Sequence, residues 1–299
     1  MFIVGATAVG KTALSLELAK MLGGEIINAD SMQVYRGMDI GTGKPTQQER
    51  RIVSHHLFDI LDPSEEFDVT KYQKLALMKI KEVLTRGALP IVVGGTGLYI
   101  NSLVYEFEFV AVSDNSEHRR LLEEQLASQG LDSLYSRLGE LDPEATQKIH
   151  INDTFRVLRA LELLECGYRA SKRNMKKKVR SKEFVPCVIA LNFEDRSLLY
   201  DRINARVDLM FEMGLCEEAR GLLSGDLSRS AKQAIGYKEF EGFFAGEVKL
   251  DSVLDLIKKN SRNYAKRQLT WFKRIEKAIW IDANKPQEDT LNFIKEMLI

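Results

Sequence analysis

The amino-acid sequence predicts an α/β fold: a P-loop core, with a parallel sheet flanked by helices, that is interrupted by a mainly helical insertion. A glycine-rich motif between an apolar run and a helical pattern near the N-terminus indicates the core. Apolar runs that alternate with helical patterns after this motif indicate a parallel sheet. Mainly helical patterns from about residue 113 indicate the insertion. We therefore assign 1–112 and 183–299 to the core and 113–182 to the insertion.

The first half of the core has a strand–helix order. Residues 2–4 form an apolar run, and apolar residues recur at helical spacing after the glycine-rich motif. A second strand at 25–29 ends at Asp30, and a third apolar strand at 90–93 runs into glycines and Thr96. Ligands bind at the carboxyl ends of parallel strands. We therefore expect the glycine-rich loop, Asp30 and Thr96 to lie together.

The remaining elements follow from the same patterns. Within the insertion, 117–129 is an amphipathic helix that ends at Gly130. After the insertion, 185–192 has the apolar pattern of a strand that returns to the sheet. Helical patterns over 197–223 and 250–275 complete the core.

Composition limits the class of protein. The 299 residues are 44% apolar and 29% charged, as in ordinary soluble globular proteins. No apolar run approaches the roughly 18 residues that span a bilayer, and the N-terminus lacks the pattern of a signal peptide. The widely spaced Cys166, Cys187 and Cys216 argue against a disulfide framework or a zinc site. We expect a cytoplasmic, monomeric protein with no membrane partner.

The net charge of zero conceals two basic segments. Residues 169–182 contain eight Lys or Arg and no acid, and residues 258–277 contain eight more against Glu276 alone. Either segment by itself fits a solvated face equally well. The two together, the second interleaved with Tyr264 and Trp271, favour a polyanionic partner.

The glycine-rich motif is the strongest functional signal. Its residues are Gly5, Ala6, Thr7, Ala8, Val9, Gly10, Lys11 and Thr12. The glycines allow backbone N–H groups to form an anion-binding nest at a helix N-terminus, Lys11 adds a positive charge, and the Thr12 hydroxyl can ligate Mg²⁺. The alternative is a chance match in a turn, but the strand before the motif and the helix after it favour a phosphate loop.

Two further residues lie at predicted strand ends. Asp30 can accept a hydrogen bond or a proton there, and it can equally be a turn or helix-capping residue. Thr96 follows glycines that would let a substrate approach the backbone, or it belongs to an ordinary turn. The third strand carries no acid to hold Mg²⁺ at its end, which weakens a kinase interpretation without excluding it.

Arg202 and Arg206 lie one turn apart on the helix that begins near residue 197. They can be exposed arginines with local salt bridges, or one can reach the phosphates and stabilise a leaving group. Helical spacing does not decide between these interpretations.

With these residues the sequence resembles the tRNA dimethylallyltransferase family, also called tRNA isopentenyltransferases. The resemblance covers nearly the whole chain, and a generic P-loop kinase would share only its first motif. The lack of cysteines for the zinc finger of many eukaryotic members favours the bacterial type. The motifs are GATAVGKT at 5–12, NADSMQVYRGMDIGTGKP at 28–45, HHLFDILDP at 55–63, VVGGTGLYI at 92–100, IHINDTFRVLRALE at 149–162, QAIGYKE at 233–239 and KRQLTWFKR at 266–274.

The resemblance implies an activity and roles for the site residues. A dimethylallyl group would move from dimethylallyl diphosphate to N6 of the adenosine at position 37 of tRNA, next to the anticodon. The phosphate loop and Mg²⁺ bound by Thr12 would hold the departing pyrophosphate, and Asp30 would act as the general base. Arg206 would help to hold the diphosphate, and Thr96 would position the nucleophile.

The resemblance also implies contacts with the tRNA anticodon stem-loop, whose adenosine would be flipped out into the core. The implied contact residues are Asp30, Ser31, Met32, Gln33, Thr96, Arg119, Phe155, Arg156, Val157, Leu158, Arg159, Gln233, Gly236, Tyr237 and Lys238. Some family members have an arginine where this chain has Gln233, so a phosphate contact by that arginine is not carried over.

Three alternatives stay open at this point. The chain could be a kinase of a small metabolite with Asp30 as the base, or an RNA-binding protein with a vestigial phosphate loop. It could also be an adenylate isopentenyltransferase, but a free nucleotide needs no extended cationic surface.

Overall fold

The computed structural model describes residues 1–106, 116–171, 181 and 183–298. The chain divides into two compact units, Met1–Phe107 with Arg180–Ile299, and Glu108–Val179. Both predicted boundaries of the insertion, 113 and 182, lie outside the described residues, as does most of the basic segment 169–182.

A parallel sheet of six strands, in the order β3-β2-β4-β1-β5-β6, forms the centre of the larger unit. The strands are Phe2–Gly5 (β1), Gly24–Asn28 (β2), His55–His56 (β3), Leu89–Gly94 (β4), Val188–Asn192 (β5) and Ile279–Asp282 (β6). The central strands are almost uniformly apolar because helices cover both faces of the sheet. The predicted α/β fold class is therefore confirmed.

Helices connect and flank the strands. In the larger unit they are Lys11–Leu22 (α1), Gln47–Ile52 (α2), Val69–Thr85 (α3) and Gly97–Val104 (α4). The smaller unit contains Ser116–Leu141 (α5), Pro143–Thr146 (α6) and Thr154–Glu165 (α7). The larger unit continues with Arg196–Glu212 (α8), Leu215–Leu223 (α9), Arg229–Lys232 (α10), Glu241–Phe244 (α11), Leu250–Phe272 (α12) and Gln287–Leu298 (α13), with a 3-10 turn at Lys238–Phe240. Within the described residues, none of these helices has the length and apolar character needed to cross a membrane.

Alternate strand residues form two apolar layers, one on each face of the sheet. On β1, Phe2 belongs to one layer and Ile3 to the other. Helix α12 contributes to both layers, since Phe272 packs in the first and Ala265 and Leu269 pack in the second. Because α12 packs in both layers, its side chains can reach the loops at the ends of the strands.

Among the elements that differ from their predicted bounds, two have a clear local cause. The predicted helix over 197–223 is two helices, because Gly214 has a left-handed conformation (φ 99°) that ends α8 and begins α9. The predicted strand at 185–192 begins only at Val188, because Pro186 has no N–H for the sheet ladder. The predicted break at Gly130 is confirmed, since its φ of 79° interrupts α5.

The smaller unit has its own apolar core, built between α5 and α7. The buried residues of this core are Leu122, Leu134, Leu138, Ala145, Val157, Leu158, Ala160 and Leu161. An ion pair between Arg119 and the buried Glu162 (2.8 Å) joins the two helices beside it.

Candidate active site

A cavity of about 760 Å³ opens at the carboxyl ends of the strands in the larger unit. The sequence-predicted site residues that line it are Thr7, Ala8, Val9, Gly10, Lys11, Thr12, Asp30, Ser31, Met32, Gln33, Arg202, Arg206, Gln233, Gly236 and Lys238. Gly5, Ala6, Thr96 and Tyr237 are not lining residues, but each adjoins one of them along the chain or through a hydrogen bond. The tertiary structure thus brings most of the predicted site into one cavity.

The phosphate loop has the backbone conformation of an anion nest. Gly5, Ala8 and Gly10 have positive φ values of 153°, 62° and 99°, and α1 begins directly after Gly10 without a side-chain cap. The first N–H groups of α1 therefore remain available to a ligand. Lys11 Nζ donates to the carbonyls of Gly5 (3.1 Å) and Ala6 (2.7 Å), which holds the ammonium over the loop.

Lys11 has an unusual electrostatic environment. Burial and, to a smaller extent, the nearby positive charge of Arg206 lower the pKa of its ammonium to about 8, and the charge of Asp30 partly opposes this shift. Two cations held together in a poorly solvated place are stabilised by an anion. The site therefore favours a highly charged anionic ligand.

The two arginines of α8 both reach the phosphate loop, so they are not a pair directed only to solvent. Arg202 Nε donates to the Ala8 carbonyl (3.1 Å). Arg206 Nη1 lies 3.4 Å from Thr7 Oγ1, and its Nη2 lies 3.5 Å from the Thr42 carbonyl. Burial lowers the pKa of Arg206, and the charge of Asp30 opposes this shift. The long contacts of Arg206 leave its donors able to bind a stronger acceptor.

Arg206 and Gln33 both contact the segment 41–43. A Cβ atom at Gly43, whose φ is 57°, would lie 1.5 Å from Arg206 Nη2, so the guanidinium passes where only glycine leaves room. Gln33 Nε2 donates to the carbonyls of Thr42 (3.0 Å) and Gly43 (3.2 Å). This segment therefore sets the position of two cavity side chains.

Asp30 lies directly beyond β2 and is held by its neighbours. The buried Asn28 accepts from the Asp30 N–H (2.8 Å) and donates to the Asp30 carbonyl (3.0 Å). One carboxylate oxygen of Asp30 accepts from the Met32 N–H (2.9 Å). Asp30 is thus both a turn residue and a cavity residue, and both sequence interpretations describe part of its environment.

Thr96 contacts the cavity wall through Ser31. Its Oγ1 accepts from the Ser31 N–H (3.0 Å) and donates to Ser31 Oγ (3.2 Å), although Thr96 is also the first residue before α4. Burial raises the pKa of the Tyr264 phenol, which also lines the cavity. The Thr96 hydroxyl therefore holds the cavity wall in place and does not cap α4.

Sequence reasoning missed two residues that hold the site. Gln268 on α12 is buried and hydrogen-bonds to the phosphate loop and to Gly95. The sequence did contain a signal for Gln268, because a polar residue at an apolar position of α12, beside Ala265 and Leu269, indicates a buried hydrogen-bonding role. Glu218 on α9 carried no such signal.

Glu218 holds the start of the 39–43 segment. Its carboxylate accepts from the N–H groups of Asp39 (3.1 Å), Ile40 (2.9 Å) and Gly41 (3.0 Å). The buried Tyr237 also donates its hydroxyl to Glu218 (2.7 Å), and burial together with the Glu218 charge raises the pKa of this phenol. Tyr237, which the resemblance places on the tRNA side, therefore packs in the interior of this structure.

The residues implied to bind tRNA in the smaller unit have different surroundings. Phe155 is 65% exposed, and Arg156 and Arg159 also lie at the surface. Val157 and Leu158 are buried in the core of the unit. The structure thus leaves only the outer face of the 155–159 segment accessible.

Arg119 is mostly buried in the same unit. Its guanidinium pairs with Glu162 (2.8 Å) and Glu123 (2.9 Å) and lies 6.0 Å from the centre of the Phe155 ring. Its Nη2 is a buried donor without a hydrogen-bond partner among the described residues. That remaining donor is the part of Arg119 with unused bonding capacity.

Protein ligands for a metal are sparse. The described residues contain no group of three or more His, Cys, Asp or Glu side chains that could hold an ion. Thr12, at the start of α1, lines the cavity and offers one hydroxyl oxygen. One hydroxyl oxygen is a ligand that Mg²⁺ can accept when it keeps several waters and takes its other ligands from a bound phosphate.

Comparisons with known proteins place these features in context. The IPP transferase family matches residues 33–275, and the isopentenyl transferase family matches residues 1–59. A tRNA dimethylallyltransferase of Bacillus subtilis (strain 168) is 45% identical over 287 residues, which cover 96% of this chain and 91% of that protein. A counterpart of the same name in Bacillus velezensis is 47% identical, with the same coverage.

Solved structures are similar over the whole chain. The full-length tRNA isopentenylpyrophosphate transferase of Bacillus halodurans is 43% identical, with a TM-score of 0.74 over 99% of this chain and 94% of that chain. A eukaryotic dimethylallyltransferase that acts on tRNA is 29% identical, with a TM-score of 0.79 over 99% of this chain and 78% of that chain.

Proposed function

Since this chain belongs to the IPP transferase family, we propose that it transfers a dimethylallyl group from dimethylallyl diphosphate to tRNA and releases pyrophosphate. The acceptor is N6 of the adenosine at position 37, next to the anticodon. In this proposal the enzyme acts as a monomer in the cytoplasm.

One observation carries this proposal: the phosphate loop, Asp30 and Arg206 line a single cavity, with Thr96 bonded to its wall. The cationic residues that line this cavity are Lys11, Arg202, Arg206, Lys238 and Arg267, against the acids Asp30 and Glu49. An excess of positive charge suits a diphosphate, and the Asp30 carboxylate at the end of β2 suits a base.

The proposed chemistry assigns one step to each group. The N6 lone pair attacks C1 of the dimethylallyl group, the C1–O bond breaks, and the electron pair leaves with pyrophosphate. Lys11 and Arg206 stabilise the charge that develops on the leaving oxygen. Asp30 accepts the N6 proton, and Thr96 positions the nucleophile through Ser31.

Mg²⁺ is part of the proposal. Thr12 would be the protein ligand of this ion, and the ion would supply positive charge to the diphosphate when it is bound. The fit rests on the Thr12 hydroxyl, which lines the cavity at the start of α1 beside the phosphate loop.

We propose that the tRNA contacts combine base recognition with phosphate binding. The adenosine is flipped out of its stack, and Ser31, Met32 and Gln33 line its path into the cavity. Exposed Phe155 can stack on a base, while the basic segments can bind phosphates. Val157, Leu158 and Tyr237 would act on the RNA indirectly, since their side chains are buried. The other proposed tRNA-binding residues are Arg119, Arg156, Arg159, Gln233, Gly236 and Lys238.

Incubation with labelled dimethylallyl diphosphate and undermodified tRNA, followed by nucleoside analysis, tests the proposal. We expect label in N6-dimethylallyladenosine from tRNA and none in free AMP. Label in AMP alone would indicate an adenylate isopentenyltransferase. A melting temperature that ATP raises and dimethylallyl diphosphate does not would instead support a kinase.

A further inference from the structure

The buried side-chain amide of Gln268, to which the proposed chemistry assigns no role, lies between the phosphate loop and the segment that follows β4. Gln268 Oε1 accepts from the Thr7 N–H (2.8 Å), and its Nε2 donates to the Gly95 carbonyl (3.0 Å). Thr7 belongs to the phosphate loop after β1, and Gly95 precedes Thr96 after β4. One carboxamide therefore joins the diphosphate side of the cavity to the acceptor side.

Thr96 extends this connection. It directly follows Gly95, whose carbonyl accepts from Gln268. Thr96 in turn bonds to Ser31 (3.0 Å from the Ser31 N–H). The connection therefore runs from the Thr7 N–H through Gln268 to Gly95, and then along the backbone through Thr96 to Ser31, beside Asp30.

The packing around Gln268 leaves little freedom. A Cβ atom at Gly95 would lie 2.1 Å from Gln268 Nε2 and 3.8 Å from Asp30 Oδ2, so only glycine lets the amide approach this closely. Gln268 is 3% exposed and adjoins the apolar Leu269. An apolar side chain would satisfy packing alone, whereas the amide has both of its polar ends bonded.

We propose that Gln268 is a positioning residue that couples the diphosphate site to the acceptor site. This inference rests on the proposed function. Transfer requires the attacking nitrogen and C1 to come within about 3–3.5 Å, and a misplacement of about 1 Å can cost about 10²-fold in rate. The Gln268 bridge sets the separation of the two loops that bring these atoms together.

The first test replaces Gln268 with methionine, which has a similar volume and removes both bonds. We expect Gln268→Met to lower kcat about 10–10²-fold, with the KM for dimethylallyl diphosphate and for an anticodon stem-loop RNA changed less than about three-fold. Gln73→Met is the matched control, because Gln73 Nε2 also donates to a backbone carbonyl, that of Ser102 (2.6 Å), and Gln73 does not line the cavity. This control should keep wild-type kcat.

A binding measurement separates positioning from a merely structural role. We expect the anticodon stem-loop to tighten the binding of inorganic pyrophosphate to the wild type by at least about five-fold, as measured by calorimetry. Gln268→Met should bind each ligand separately but lose this coupling. Gln268→Glu keeps an acceptor for the Thr7 N–H and cannot donate to Gly95 when ionised, so it gives the same comparison if the methionine variant does not fold.

The outcomes distinguish this inference from the proposed function. A wild type that transfers no dimethylallyl group would overturn the proposed function, whatever Gln268 does. An active wild type without coupling, or Gln268 variants that retain either the coupling or the kcat of Gln73→Met, would overturn only the positioning role.

Discussion

At the scale of single residues, the charged groups of the cavity shift one another's pKa values in opposite directions. The charge of Arg206 and the burial of the ammonium lower the pKa of Lys11, while Asp30 raises the pKa of Lys11 and of Arg206. Asp30 thus stabilises both cations before a ligand binds. An arriving diphosphate would take over this role and leave Asp30 to act on the acceptor.

Replacing Asp30 with asparagine should lower turnover by about 10²–10⁴-fold, the loss expected when a general base is removed. Asparagine keeps an oxygen for the Met32 N–H (2.9 Å), so the turn should persist. Single-turnover assays would measure the rate, and gel-shift titrations would measure an unchanged tRNA affinity. An equal loss of tRNA affinity would make Asp30 a recognition residue.

Pyrophosphate affinity should depend on the protonation of Lys11. With a pKa of about 8, Lys11 is charged in the ligand-free protein below this pH and loses its proton above it, while a bound anion raises the pKa. Affinity should therefore be insensitive to this group below pH 7 and should fall by up to about ten-fold per pH unit above pH 8.

Calorimetry from pH 6.5 to 9.5 measures this effect, with Lys11→Arg as the reference. A guanidinium stays charged over the whole range, so the reference shows only the titration of pyrophosphate itself and of other groups. Identical pH profiles for the two proteins would exclude a titrating Lys11.

At the scale of elements, helices hold loops that would otherwise have few anchors. Helix α9 holds the 39–43 segment through Glu218, and that segment carries contacts of Arg206 and Gln33. Helix α12 holds the phosphate loop in the same manner through Gln268. Residues distant from the cavity can therefore change the geometry of its side chains.

Glu218→Gln should loosen the 39–43 segment. An amide has one acceptor oxygen, and its NH₂ group would face backbone N–H donors, so we expect a loss of about 1–3 kcal/mol in the free energy of unfolding. The KM for dimethylallyl diphosphate should rise with it, because the contacts of Arg206 depend on this segment. Chemical denaturation and steady-state kinetics measure the two effects.

Glu217→Gln is the matched control on the same helix. Glu217 is exposed in the first turn of α9, so its loss should change the free energy of unfolding by only a few tenths of a kcal/mol. Equal effects of the two variants would indicate that the charge of α9 matters and the loop contacts of Glu218 do not.

At the scale of the whole molecule, the chain leaves and rejoins the larger unit at neighbouring points. The Ser181 N–H donates to the Val104 carbonyl (3.0 Å), so a short linker can span this gap. The basic segment 169–182 lies almost entirely between these two points. Every described residue that lines the cavity belongs to the larger unit.

Replacing residues 107–180 with a short Gly/Ser linker should therefore give a protein that folds and binds pyrophosphate but binds tRNA weakly. The plot of log affinity against log salt should become less steep by about 0.7–0.9 for each tRNA phosphate that the shortened protein no longer neutralises. Thermal unfolding with pyrophosphate and filter binding at several salt concentrations measure these effects. Unchanged tRNA affinity and salt dependence would show that the removed segment is only a solvated face.

Local patterns in the sequence determined the fold class, the phosphate loop and the positions of Asp30 and Thr96 at strand ends. These features are encoded locally, since glycine spacing and apolar periodicity specify backbone conformation within a few residues. Only the tertiary structure decided that Arg206 reaches Thr7 and that Val157 fills a core.

The role of Gln268 shows the physical reason for this division. Its two partners, Thr7 and Gly95, are 261 and 173 residues away along the chain. A hydrogen bond over such a separation depends on how α12 packs against the sheet, and neither the spacing nor the propensity of nearby residues encodes that packing. The sequence determined which loops form the cavity, and tertiary packing decided which side chains hold those loops together.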